Sequence, residues 1–152
     1  MGPGRAGGGE VAETGGVEVS EALDFVRHNS RGVLATTRSD GRPQLSPVNA
    51  GVDARGRLVI SSRETAYKVK NLRRAPYASY LGMNDDFYGA WVQVEGPVEL
   101  VSLPEAMDLL VEYYRGISGE HPDWADYRAA MVRDQRLIIA ITPERVGPNV
   151  QG

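Results

Sequence analysis

The chain has 152 residues, 41% of them hydrophobic and 24% charged, with 17 Lys plus Arg against 20 Asp plus Glu for a net charge of −3. That is enough for one hydrophobic core and too little for two. The charge balance argues against a surface built for nucleic acid, the longest apolar run, Leu137 to Ile141, falls far short of the roughly 20 residues a membrane-spanning helix needs, and the lack of cysteine rules out disulfides and thiolate chemistry.

Residues 1 to about 18 are rich in glycine (GPGRAGGGE, then TGG) and poor in large apolar groups, so they are expected to form a disordered tail ahead of one domain over 19–152. The tail carries no apolar core of a signal peptide, which makes a cytoplasmic location the expectation. A first helix is predicted to begin near Ser20 as N-cap, with Ala22, Phe25 and Val26 on its inner face. Strands follow: Val33–Thr37, an Asp40-Gly41 turn, then Pro43 to Val52. Pro43 and Pro47, four apart, remove N–H donors from one edge of that strand, which marks it as an edge strand or a bulged one.

Leu58–Ser61 is a further strand, Thr65 to Arg73 a short helix, Tyr77–Leu81 another strand, and Trp91–Val101 a long alternating one in which Gly96-Pro97 marks a bend. Ser102-Leu103-Pro104-Glu105 reads as a capping box ahead of a helix carrying Met107, Leu110, Val111 and Tyr114 and ending at Gly116. A second helix is predicted from about Asp123, and Leu137–Ile141 is the last strand. About six mostly antiparallel strands with inserted helices describe a mainly β, α+β chain, a small barrel more than a doubly wound sheet.

Two segments combine polar groups in a chemically useful way. Gln44, Ser46 and Val48 share one side of the Pro43 strand, where an amide and a hydroxyl beside Pro47 suit the polar edge of a flat heterocycle; a merely solvated strand face fits the same pattern. In SSRETAYKVKNLRR, Ser61 and Ser62 end a strand, and a helix follows with Lys68 and Asn71 on one face and Lys70, Arg73 and Arg74 on a neighbouring one. Hydroxyls, helix N–H groups and a point charge are what a phosphate monoester requires. A solvated basic helix is the alternative, since no GxxxxGK[ST] loop is present. His28 is assigned to the end of the first helix and His121 to a turn, and Trp91 and Trp124 by default to the core or an interface. No metal cluster or catalytic side chain is expected.

GVLATTRSDGRPQLSPV, SSRETAYKVKNLRRAPYASYLG, WVQVEGPVEL and GEHPDWADYRAAMV, in this order and spacing, resemble the split β-barrel flavin and deazaflavin oxidoreductases related to pyridoxamine 5′-phosphate oxidase. Within these the sequence is most similar to the branch that uses coenzyme F420. The resemblance covers roughly residues 22 to 146. It implies a six-stranded antiparallel split barrel of the FMN-binding type and a homodimer with one cofactor at each of two interface sites. It also implies direct hydride transfer from reduced F420 to an unsaturated small molecule, with no nucleic acid or membrane partner; FMN is the alternative cofactor, and a non-catalytic F420- or flavin-binding protein the alternative role. By position, Lys68 matches the family's phosphate-binding lysine in K-x-x-N-L, with Ser61, Ser62, Arg63 and Asn71 around it. Gln44, Ser46, Pro47 and Val48 match the ring-lining strand, and Trp91 the strand that approaches from the partner subunit. Several relatives carry an Arg two residues before the lysine; here Ala66 stands there, which turns attention to Arg63 or Lys70. Tyr67 or Tyr88 is considered as a proton donor.

Overall fold

The computed structural model describes residues 12–13, 17–86 and 88–147. Helix α1 (Val19–His28) follows a short strand β1 (Ala12–Glu13), and strands β2 (Arg31–Thr37) and β3 (Pro43–Asn49) form a hairpin. The helix starts earlier than Ser20: the backbone N–H of Glu18 donates to the Glu21 carboxylate at 3.1 Å, so a glutamate three residues on closes the first turn. Of the tail expected to be unstructured, Ala12–Glu13 runs parallel to Arg145 and Val146, and Val17 and Glu18 lead into α1; the rest of it lies outside the described residues.

In the β2–β3 hairpin, Val33 faces Pro47 and Thr37 faces Pro43, and among the described residues β3 pairs with no strand on its other side. The edge assignment therefore holds, and its cause is the two missing N–H groups. The strand expected to run from Pro43 to Val52 is instead broken. Buried Ala50 donates its N–H to the Ser30 carbonyl at 2.7 Å, and β4 (Gly51–Val52) leaves β2 to pair with β5 (Leu58–Arg63).

Helix α2 (Tyr67–Arg74) starts two residues later than Thr65 and buries Val69 and Leu72. Strand β6 (Tyr77–Met83) pairs with the first half of β7 (Trp91–Val101), up to Pro97; from Val98 onward β7 pairs with β8 (Arg136–Ile141). The Gly96-Pro97 bend is where the strand changes partners. A Cβ at Gly96 would sit 1.9 Å from the Thr142 carbonyl oxygen, so only glycine permits this crossing.

Helix α3 (Met107–Ser118) lacks the predicted capping box: residues 103–106 form turns, Ala106 precedes the helix, and no side chain caps it. It also passes through Gly116 and ends at Gly119, whose φ is +84°. Helix α4 (Trp124–Arg133) is capped as expected, by Asp123 accepting from the Asp126 N–H at 3.1 Å. Strand β9 (Arg145–Gly147) pairs with β7.

The strand order is β3-β2-β6-β7-β8-β5-β4, antiparallel throughout this path, and β3 and β4 do not pair. This is a mainly antiparallel α+β split barrel whose sheet stays open. Leu34, Leu58, Ile60, Val69, Tyr80 and Ile139 belong to the main core, while a second cluster of Leu110, Ala140 and Tyr127 seats the α3–α4 pair on the outer side of β5 and β8. Among the described residues no helix is long and apolar enough to cross a membrane.

Candidate functional site

The split between β3 and β5 is a cleft of about 860 Å³. One wall is the β3 edge, with Pro47, Val48 and Asn49; the other is the end of β5, with Ser61, Ser62 and Arg63, continued by Ala66, which precedes α2, and Lys68 in its first turn. Three tyrosines, Tyr113, Tyr114 and Tyr127, line it from α3 and α4 together with Met131, and Arg136 enters from the start of β8. Tyr113 ties the two walls: its hydroxyl donates to the Asn49 carbonyl at 2.9 Å and lies against the Ser61 backbone N–H.

Gly32 fixes the floor. A Cβ there would meet the Leu81 carbonyl oxygen at 2.2 Å and the buried Tyr80 ring at 2.5 Å.

The electrostatics are one-sided. Arg31, Arg63, Lys68 and Arg136 line the cleft, and among the described residues no Asp or Glu does. Arg31 is paired with Asp85 at 2.7 Å, but among the described residues Arg63, Lys68 and Arg136 have no carboxylate partner. Burial, and after it the Arg136 guanidinium, pull the Lys68 ammonium below its ordinary value. Burial also raises Tyr113 and pushes Tyr127 up to about 12, so these phenols remain protonated across the physiological range. Arg136 Nε is buried and meets no acceptor. A guanidinium N–H held without an acceptor, beside two unpaired cations, suits an anion with several lone pairs.

The sequence-derived residues divide into three groups. Pro47, Val48, Ser61, Ser62, Arg63 and Lys68 meet in the cleft. Gln44 and Asn71 meet each other: Asn71 Nδ2 donates to Gln44 Oε1 at 2.7 Å and to Thr36 Oγ1 at 3.1 Å, tying α2 to the β2–β3 hairpin beside a second, smaller hollow. Ser46 Oγ is buried nearby without a partner. Trp91 opens β7 opposite Met83, half-buried and outside the cleft.

Of the basic residues after Lys68, Arg73 is paired with Glu64, and Arg74 donates to the Thr37 carbonyl and to Asn71 Oδ1. Both are engaged within the chain, and neither lines the cleft. Tyr67 and Tyr88 are 71% and 92% exposed and lie outside it too; the cleft phenols come from α3 and α4. Tyr113, Tyr114, Tyr127 and Arg136 escaped sequence reasoning because the residues they face are distant along the chain. Tyr114 was legible only as part of an apolar helix stripe, and Arg136 only as a cation ahead of a strand.

An open antiparallel barrel with an anion-seeking cleft along its split defines a cofactor-binding class of fold. The sequence model of the pyridoxamine 5′-phosphate oxidase family matches residues 19–149, and the chain belongs to that family. Among similar solved structures is a conserved hypothetical protein from Mycobacterium tuberculosis, at 27% identity over 89% of this chain and 87% of the other, with a TM-score of 0.72. An F420 reductase matches at 22% identity over 82% and 94%, TM-score 0.63. A heme binding protein from Mycobacterium smegmatis matches at 21% identity over 82% of this chain and 52% of its own, TM-score 0.63.

Proposed function

We propose that this chain is an oxidoreductase that binds coenzyme F420 by its phosphate in the β3–β5 cleft and acts as a homodimer on an unsaturated small molecule. The observation that carries the reading is the charge of the cleft among the described residues: four cations, no carboxylate in the lining, and a buried guanidinium N–H without an acceptor. Lys68 on α2 and the Ser61 and Ser62 hydroxyls would hold the phosphate, with the opening N–H groups of the helix beside them. Pro47 and Val48, on an edge with few donors, would flank the ring. When bound, the reduced deazaflavin supplies hydride; the chain's own work is to bind, orient and exclude water.

The choice of F420 over FMN is supported by the sequence resemblance and by the F420 reductase among the similar structures. Arg73 and Arg74 add nothing to it, since both are engaged within the chain. FMN is the second reading, favoured by the same cationic cleft. Titration of the protein with F420 and with FMN, on wild type and Lys68→Ala, tests both. Submicromolar binding of F420 that weakens by about 10-fold or more in Lys68→Ala is the expected result, the loss of a charge-assisted contact. Protein that emerges yellow from a host lacking F420 would give the site to FMN, and unchanged affinity for both in Lys68→Ala would remove the phosphate from this cleft. Tight binding of F420 without turnover on a broad panel of enones and quinones would make the chain a carrier.

A further inference from the structure

Arg63 and Arg136 are register partners across the antiparallel β5–β8 pair. Residues so paired project from the same face with Cβ atoms about 5 Å apart, and like charges in that position repel. Lys68 stands close enough to Arg136 to feel its charge. The nearby acids are taken: Glu64 pairs with Arg73 and Asp85 with Arg31. Arg136 itself is half-buried, with Nε enclosed and lacking an acceptor. The Nε–H is therefore an uncompensated donor in the cleft wall, and the paired N–H groups of a guanidinium match two oxygens of one phosphate.

We infer that Arg136, entering from β8, is the second cation of the cofactor-phosphate grip and fills the role that Ala66 leaves vacant on α2. The inference rests on the proposed function and makes it more specific. It assigns the role to neither Arg63 nor Lys70. The Arg63 residue is exposed at the rim, and Lys70 lies outside the cleft, with its ammonium 5.2 Å from the centre of the Tyr67 ring. Arg136 also sits where the two ends of the cleft meet, since its charge acts on Lys68 at one end and on Tyr113 and Tyr127 at the other. From there it would anchor the phosphate while the phenols face the remainder of the ligand.

Phosphate recognition is isolated by comparing ligands that differ only in the phosphate. Dissociation constants for FMN and riboflavin, and for the 5′-phosphate of the F420 deazaflavin and its free alcohol, are measured on wild type, Arg136→Met, Arg136→Lys and Lys68→Met. In Arg136→Met the preference for the phosphorylated member should fall by roughly 10-fold or more, the cost of losing a charge-assisted bond, with the phosphate-free ligand unaffected. Arg136→Lys should keep part of the preference. Inorganic phosphate should raise the melting temperature of wild type and do so much less for Arg136→Met. In phosphate-free buffer Arg136→Met should be no less stable than wild type, because it removes a like-charge contact.

A preference lost in Lys68→Met and unchanged in Arg136→Met would overturn the inference while leaving the cofactor reading intact. A preference unchanged in both would overturn the cofactor reading as well. If Arg136→Met does not fold, Arg136→Gln gives the same comparison, with the same two outcomes.

Discussion

Lys68 is held in the folded chain under two influences that favour its neutral form, burial first and Arg136 second. The lowered value has a definite linkage sign. Between the depressed folded value and the ordinary one of 10.5, the unfolded chain carries a proton that the folded chain does not. This residue's contribution to stability is therefore fully present above pH 10.5 and lost as pH falls through the folded value. Binding of a phosphate has the opposite sign: it favours the ammonium and returns the pKa upward. Calorimetric titrations stepped through the alkaline range below the ordinary lysine value, in buffers of differing ionisation enthalpy, should therefore show net proton uptake on binding FMN or F420, and none in Lys68→Met. Equal uptake in both would place the responsive group elsewhere.

At the scale of elements, the β4–β5 turn shows how a local motif holds the second wall of the cleft. Asp53 accepts from the N–H groups of Arg55 and Arg57 at 3.0 and 2.8 Å and from Arg57 Nε at 2.8 Å, and both side chains of the pair are at least nine-tenths buried. Arg57 reaches on to Glu99 of β7 at 2.8 Å, joining two strands. Asp53→Ala leaves this guanidinium with one exposed carboxylate, so urea unfolding should show a loss of about 3 kcal/mol, the magnitude for an orphaned buried charge. Asp53→Ala/Arg57→Met should recover part of it; a double variant weaker than the single one would mean that the turn, not the charge, is limiting. The turn itself was readable as DARG. Strand alternation along Trp91–Val101 and the β3 edge prolines were equally legible, because side-chain periodicity and missing donors are written in single residues. The Ala50 break was not, since it is fixed by the carbonyl of Ser30 on a distant segment; the turns over residues 103–106 displace the Ser102 cap, and the helix runs on through Gly116 to the positive-φ Gly119. The same division runs through the site. Ser61, Ser62 and Lys68 are neighbours in sequence and could be seen together, whereas Arg136 meets them only through the β5–β8 register.

For the whole molecule, the open split is the central fact. Among the described residues the β3 edge has no strand beyond it, Pro43 and Pro47 prevent full pairing there, and the cleft alongside is covered on one side by α3 and α4. A ring lying against Pro47 and Val48 would keep a face toward solvent, and hydride chemistry favours a site from which water is excluded. The proposed homodimer answers this if a second copy covers the cleft, with Trp91, absent from its own protomer's cleft, reaching across. A two-fold arrangement makes both sites equivalent and each site composite. Sedimentation should then give twice the chain mass at micromolar concentration. Composite sites have a sharper consequence for co-expressed Lys68→Ala and Trp91→Ala chains. Each variant alone has two impaired sites per dimer. In a mixed dimer one site collects both substitutions and the other neither, so random pairing should restore about a quarter of the wild-type cofactor sites. Restoration read as tightly bound F420 or FMN in the mixed population establishes that Lys68 and Trp91 of different copies serve one site. A mixture that binds no better than the two variants measured separately would confine each site to a single protomer and leave Trp91 with a structural role at the head of β7.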